Sequence, residues 1–383
     1  MSSHKNKVES LLPLTSLRFA AAMMIVLLHA KSYFSWPWLA HAPAAMLHGV
    51  SFFFVLSGFI LTHVYTSKPF PGYGQFIRAR LARLWPVHIL ALLMLVIFVR
   101  ADSITFDGHG IFSKWFELAL NLTLTQSLSP YISNFFAWNT VSWSISTEVG
   151  FYLVFPLLLP HIERRWPRIL LFSAIATIVA YAGLHLIGLP AGGDIQVISV
   201  GSATYANPLV RGFEFCLGMA TWVIWSRYLK HARFSYAVWT AIEAALVLAV
   251  AAWLFRVLPM ARENIHPYWL GILIDRSGSC WLFAILIGVL ASGRGAISRM
   301  LSWRPFVFLG EISFSMYMLH MILMKMFFTW NQTATLSPEA FMGALVFVSA
   351  ASFVLVEKPA QRFLMRKRAP AASSAERVAR IGA

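Results

Sequence analysis

Charge is what this chain has least of. Of 383 residues only 12% are Asp, Glu, Lys or Arg and 58% are hydrophobic, a balance that excludes an ordinary soluble domain. Acidic residues are scarcer still, 15 against 31 Lys and Arg, for a formal net charge of +16. In a soluble protein that excess would point to nucleic acid. Here the basic residues sit in short loops between apolar stretches, where they act as orientation signals in a membrane, so no nucleic-acid partner is expected. Cysteine is nearly missing: Cys216 and Cys280 both lie inside apolar stretches, which argues against a disulfide framework. The 12 histidines form no tight ligand cluster, so no metal site is expected. No small-residue cleavage site follows the short basic start of His4, Lys5 and Lys7, so the first apolar helix is expected to be retained as an anchor. An internal repeat of the kind that marks many transporters is also lacking.

What is abundant is long apolar runs. Ten are long enough to span a bilayer: 11–30, 44–65, 84–99, 142–160, 169–187, 207–226, 237–255, 269–291, 305–328 and 340–356. The chain is therefore expected to be an all-α integral membrane protein of about ten transmembrane helices. The stretch 111–128 is moderately apolar but carries Lys114, Glu117, Asn121 and Gln126, and reads as an interfacial or re-entrant segment.

Loop charge supports that reading. With the N-terminus inside, the inside loops hold Lys68, Arg78, Arg80 and Arg83, then Arg164, Arg165 and Arg168, then Arg227, Lys230 and Arg233, then Arg294, Arg299 and Arg304. The positive-inside rule is met at each of these loops only if 111–128 does not cross. Both termini are then cytoplasmic. The expected organisation is a cytoplasmic N-terminus over 1–10, a transmembrane domain over 11–358, and a basic, disordered tail over 359–383.

Against this background the polar residues inside apolar runs stand out. The first run carries Arg18 and His29. Ionisable groups within a span are costly, and each is a functional hypothesis in itself. Their separation of eleven residues is three turns plus about 20°, so both project from one helix face, roughly 16 Å apart along the axis. Position alone also allows Arg18 to snorkel to headgroups and His29 to touch the outer interface. Later runs add Glu148 in Trp143-Ser144-Ile145-Ser146-Thr147-Glu148, Arg211 and Glu214 at i and i+3, and Tyr317 with His320. Arg211 with Glu214 reads first as a structural ion pair, and Tyr317 with His320 as interhelical glue. An unpaired Glu148 would need a cation nearby or a proton.

At these residues the chain resembles the acyltransferase 3 family of membrane enzymes, which O-acylate sugars of bacterial surface polysaccharides and some secondary metabolites. The resemblance runs the length of the chain. It rests on the spacing of Arg18 and His29, FFFVLSGF over 52–59, RARLARLWP over 78–86, WSISTE over 143–148, NPLVRGFEF over 207–215, FLGEISFSMYMLH over 308–320 and VEKP over 356–359. Many relatives add an extracytoplasmic esterase-like domain, and a stand-alone form is expected here.

The resemblance implies acyl transfer in the bacterial cytoplasmic membrane, from a cytoplasmic acyl-CoA to a sugar hydroxyl of a polysaccharide, lipopolysaccharide or related glycan. The acyl-CoA, acetyl-CoA in the first instance, is a donor substrate, and no bound cofactor is implied. Such a transfer needs a base for the hydroxyl proton, the role given to His29, with Glu148 expected to hold the imidazole. Arg78, Arg80 and Arg83 suit the donor's phosphates, with Ser57 nearby on the second helix. Arg18, between mouth and base, would meet the pantetheine arm or the thioester carbonyl. Trp143, Ser144, Ser146, Arg211, Glu214, Tyr317 and His320 form a supporting polar set. Ser57-Gly58 equally suits close helix packing. The outer stretch 101–140, with Trp115, Tyr131, Phe135, Phe136 and Trp138, is the expected acceptor platform, or else an interfacial aromatic belt. The rival reading from another class is a transporter of a glycan or lipid that uses His29, Glu148, Arg211 and Glu214 as a proton relay.

Overall fold

A computed structural model describes residues 10–34, 44–99, 112–260, 265–330 and 337–366, without the side chains of 328–330. Helix is the only regular secondary structure among the described residues, with no strand among them. In chain order the α-helices are α1 (Leu12–Ala30), α2 (Gly49–Thr66), α3 (Tyr73–Phe98), α4 (Lys114–Thr123), α5 (Ile132–Phe135), α6 (Trp143–Leu158), α7 (Ile162–Leu186), α8 (Val200–Tyr205), α9 (Pro208–Arg227) and α10 (Tyr236–Ala252). They continue with α11 (Tyr268–Ser277), α12 (Cys280–Ala291), α13 (Ala296–Leu301), α14 (Arg304–Trp330), α15 (Pro338–Ser352) and α16 (Lys358–Met365).

Each of the ten apolar runs falls on helix. Eight helical stretches among the described residues are long and apolar enough to cross a membrane, and one of them, Thr140–Leu186, is 47 residues long and contains two of the runs. The run at 207–226 forms α9, whose Arg211, Glu214 and Arg227 lower its mean hydropathy. Of the segment at 111–128, the described residues supply one α-helix, α4, of ten residues or about 15 Å, half the hydrocarbon thickness, followed by a 3-10 turn at Gln126–Leu128. A buried polar network docks it on the bundle. Asn121 Oδ1 accepts from the Ser142 hydroxyl at 3.0 Å, the Asn121 carbonyl oxygen lies 2.9 Å from His88 Nε2, and the Leu124 carbonyl accepts from Ser146 at 2.7 Å.

Helix starts follow local chemistry. Asn207 accepts from the Leu209 N–H at 3.0 Å and Pro208 occupies the first turn of α9, where the missing N–H costs nothing. At the other end α15, the π-helical turn Phe353–Glu357 and α16 run on as one helix, which corrects the expected tail: 359–365 is helix packed against α3. Residues 367–383 of the tail and the N-terminal residues 1–9 lie outside the described residues.

The bundle core is built on close crossings. A Cβ at Gly58 would overlap the Phe215 carbonyl of α9, and one at Gly218 would overlap the Val55 carbonyl of α2. A Cβ at Gly310 would overlap the Thr15 carbonyl of α1. Small residues at such points let backbones approach and dispersion contacts form on all sides, the main source of helix association in lipid. These crossings press α1 against α14 and α2 against α9, and so fix where Arg18, His29, Ser57 and Tyr317 stand.

Candidate active site

The centre of the site is a pair of histidines 291 residues apart. His29 Nδ1 lies 2.9 Å from His320 Nε2, with the ring planes within 10° of each other, so that the two rings meet edge to edge. His320 Nδ1 lies 2.6 Å from the Tyr317 carbonyl oxygen. A carbonyl only accepts, so His320 Nδ1 carries its proton and, in the neutral ring, Nε2 is bare. That bare nitrogen must accept from His29 Nδ1–H. The lone pair of neutral His29 is therefore on Nε2, the form a general base needs. Sequence reasoning treated His320 as interhelical glue; the structure makes it the residue that sets the tautomer of His29.

The expected pairing of His29 with Glu148 is corrected. The Glu148 carboxylate instead accepts from the Ser57 hydroxyl and, at 2.5 Å, from the Tyr152 hydroxyl. Tyr152, one turn beyond Glu148 on α6, was missed, although its i+4 spacing was visible.

Glu148, Ser57 and Tyr152 belong to a cavity that encloses about 930 Å³, its opening included. Arg18, Arg80 and Arg83 line it together with Ser144 and Tyr317. The Ser144 hydroxyl lies 2.8 Å from the Tyr317 hydroxyl, which donates to the Val141 carbonyl at 3.0 Å. Tyr317 thus touches both halves of the site: its ring walls the cavity and its carbonyl anchors His320. Arg18 stands within electrostatic reach of Arg83, Glu357, Glu148 and Tyr152. Glu357, part of the VEKP stretch but absent from the expected set, is buried and accepts from Ser315 at 3.1 Å. It is the last residue of a π-helical turn, Phe353–Glu357, a local widening often found at functional positions.

The three expected donor-binding arginines separate. Arg80 and Arg83 face the cavity, and Arg80 lies over the Tyr65 ring at 5.6 Å. Arg78 is exposed and does not line it. Ser146 is likewise spent elsewhere, holding the Leu124–Ser127 turn. Trp143 is buried against Phe54 and Tyr205. Arg211 and Glu214 form the expected ion pair at 3.1 Å, buried, with Ser51 bonded to both, outside this cavity. Both cysteines are free and buried.

Neither histidine lines the arginine cavity; Tyr317 joins the two, and comparison with known proteins shows what the chain is similar to. A family profile described as an acyltransferase domain matches residues 14–357. The acyltransferase MdmB of Streptomyces mycarofaciens is 28% identical over 94% of both chains. The putative peptidoglycan O-acetyltransferase YrhL of Bacillus subtilis is 25% identical over 83% of this chain and 49% of its own length. For the O-acetyltransferase OatA of Staphylococcus aureus the identity is 24%, over 80% and 49%. The chain thus spans about half the length of the last two proteins. No solved structure matches it. With the profile match covering nearly the whole helical bundle, the chain belongs to the acyltransferase 3 family and is a membrane enzyme that transfers acyl groups other than amino-acyl groups.

Proposed function

We propose that the chain moves an acyl group, acetyl in the first instance, from cytoplasmic acyl-CoA to a sugar hydroxyl of a cell-surface polysaccharide, lipopolysaccharide or related glycan, with His29 as general base in the bacterial cytoplasmic membrane. The observation that carries this reading is the hydrogen-bond relay from the Tyr317 carbonyl through His320 to His29, which leaves Nε2 of His29 as the basic atom. Nε2 takes the proton as the acceptor oxygen attacks the thioester carbonyl. The C–S bond then breaks, and the coenzyme A thiolate recovers the proton from the imidazolium. The products are an O-ester and free coenzyme A. The second imidazole shares the positive charge on His29, the task a carboxylate performs in other triads.

The donor's geometry follows from the cavity. Arg80 and Arg83 suit its phosphates as charge-assisted donors. Arg18, deeper on α1, presents a guanidinium to the pantetheine arm or thioester oxygen, balanced by Glu148 and Glu357. Ser57 is held by Glu148 and acts as a wall of the channel.

Mass spectrometry of surface glycans from a deletion strain tests the reading, with wild type and His29→Ala restored at matched membrane levels. An acyl increment present only with wild type supports it. Equal acylation with both removes His29 as base. Failed glycan export without any acyl difference would move the chain's role to transport.

A further inference from the structure

A second cavity lies away from the donor channel. It encloses about 1110 Å³ with its opening and is formed by the stretches 132–136, 191–205 and 265–276. Its place in the bundle is fixed by α2. Ser51, near the start of that helix, donates to the Arg276 carbonyl at 2.9 Å, while Tyr65, near its end, lies under Arg80. Fourteen residues of helix, about 21 Å, separate those two points. On α1 the level of Gly49 is that of Ala21 and Ile25, midway between Arg18 and His29. The cavity therefore adjoins the N-terminal end of α2, about 21 Å of helix from the end that meets Arg80.

Its chemistry is that of a carbohydrate site. Phe136, Tyr205 and Tyr268 line it and are only half-buried. Tyr268 is held rigidly, its hydroxyl donating to the Leu189 carbonyl at 2.6 Å and its ring meeting His185 edge-on at 4.7 Å. Tyr205 has one role already: it stacks on Phe135 at 9° and carries the Arg276 guanidinium at 4.5 Å. Arg276 also stands 3.7 Å from the Asp275 carboxylate, and its buried Nε meets no acceptor among the described residues. A fixed aromatic face beside a neighbouring cation and carboxylate offers stacking to a ring and both donor and acceptor to its hydroxyls, with little net charge. That pattern fits a neutral sugar and penalises an acidic one.

We infer that this cleft binds a neutral sugar ring of the glycan acceptor, stacked on Tyr268 and Phe136 with its hydroxyls shared between Asp275 and Arg276. Tyr205 is a positioning residue that holds Arg276. The inference rests on the proposed glycan acceptor and refines the platform expected over 101–140. Of that stretch Phe135 and Phe136 line the cleft, Trp138 is buried, and Trp115 is exposed outside it. Residues 101–111 of the stretch lie outside the described residues.

The test is saturation-transfer NMR on the full chain in nanodiscs, with neutral oligosaccharides released by mild acid from the envelope of cells lacking the gene. Wild type is expected to saturate sugar-ring protons. Tyr268→Ala and Asp275→Asn are expected to weaken binding tenfold or more, and Tyr268→Phe, which keeps the ring, to bind within twofold of wild type. Thermal unfolding and acetyl-CoA binding confirm that each variant is folded. If Tyr268→Ala does not fold, Phe136→Ala reads the same face. Absence of transfer to wild type, or equal transfer to all variants, overturns the cleft. Because binding is read without turnover, a cleft that binds sugar in a chain that transfers nothing would sink the donor and base assignments alone.

Discussion

His29 and His320 lie nearly coplanar, their planes 10° apart, and meet edge to edge with 2.9 Å between Nδ1 and Nε2, and the second ring is tied to the backbone of its own helix turn. Two neutral imidazoles in series form a relay with only one consistent proton arrangement. Removing His320 therefore leaves His29 in place but frees its tautomer and its ring angle. His320→Ala is expected to lower kcat about 100-fold while leaving acyl-CoA binding within twofold. His320→Gln, whose amide oxygen offers an acceptor to His29 Nδ1–H, is expected to recover part of the loss. Single-turnover acyl transfer by the purified chain measures both.

Since His29 must be neutral to accept a proton, the rate is expected to rise with pH as the imidazolium is lost and then level off. Glu148 touches Ser57 and Tyr152 and not the imidazole. Glu148→Gln is therefore expected to leave the midpoint of that rise unmoved and to change the donor's KM instead. A shifted midpoint in a pH-rate profile would restore Glu148 as the partner of His29.

The arginines of the third helix are expected to divide by their facing. Arg83→Ala and Arg80→Ala each remove a cavity-lining cation, and loss of a charge-assisted hydrogen bond of about 1.5–3 kcal/mol corresponds to a KM for acyl-CoA raised roughly 10- to 100-fold. Arg78→Ala, exposed outside the cavity, is expected to stay within twofold. Donor saturation curves for the three variants decide it.

Helix crossings predict stability. Gly58→Leu and Gly310→Leu place side chains where the Phe215 and Thr15 carbonyls stand, so both are expected to lower the thermal unfolding midpoint strongly or to prevent accumulation in the membrane. Gly343→Ala meets nothing within 4 Å and is expected to be neutral or slightly stabilising. Fluorescence-detected size exclusion after heating reads all three.

The bundle was legible because spanning a bilayer demands some twenty apolar residues, and each such run became helix. Arg18 stood out because a cation inside such a run is costly, and the Arg211–Glu214 pair because i, i+3 spacing is local. What was not legible was anything joining distant runs. The partner of His29 comes from α14, and no spacing rule links residues so far apart in the chain. Acyl-transfer chemistry suggests a carboxylate beside His29, whereas the Ser57 and Tyr152 hydroxyls hold Glu148 in the arginine-lined cavity. Ser146 looked like its neighbour Ser144 in sequence, but two residues on a helix differ by about 200°, so one faces Tyr317 and the other the Leu124 turn.

The most direct test of the central claim is acetyl transfer from radiolabelled acetyl-CoA by the purified chain, wild type against His29→Ala, with donor binding measured on the same samples. The account predicts a loss of about 100- to 10,000-fold in transfer with donor affinity retained. Transfer at the wild-type rate by His29→Ala would contradict it.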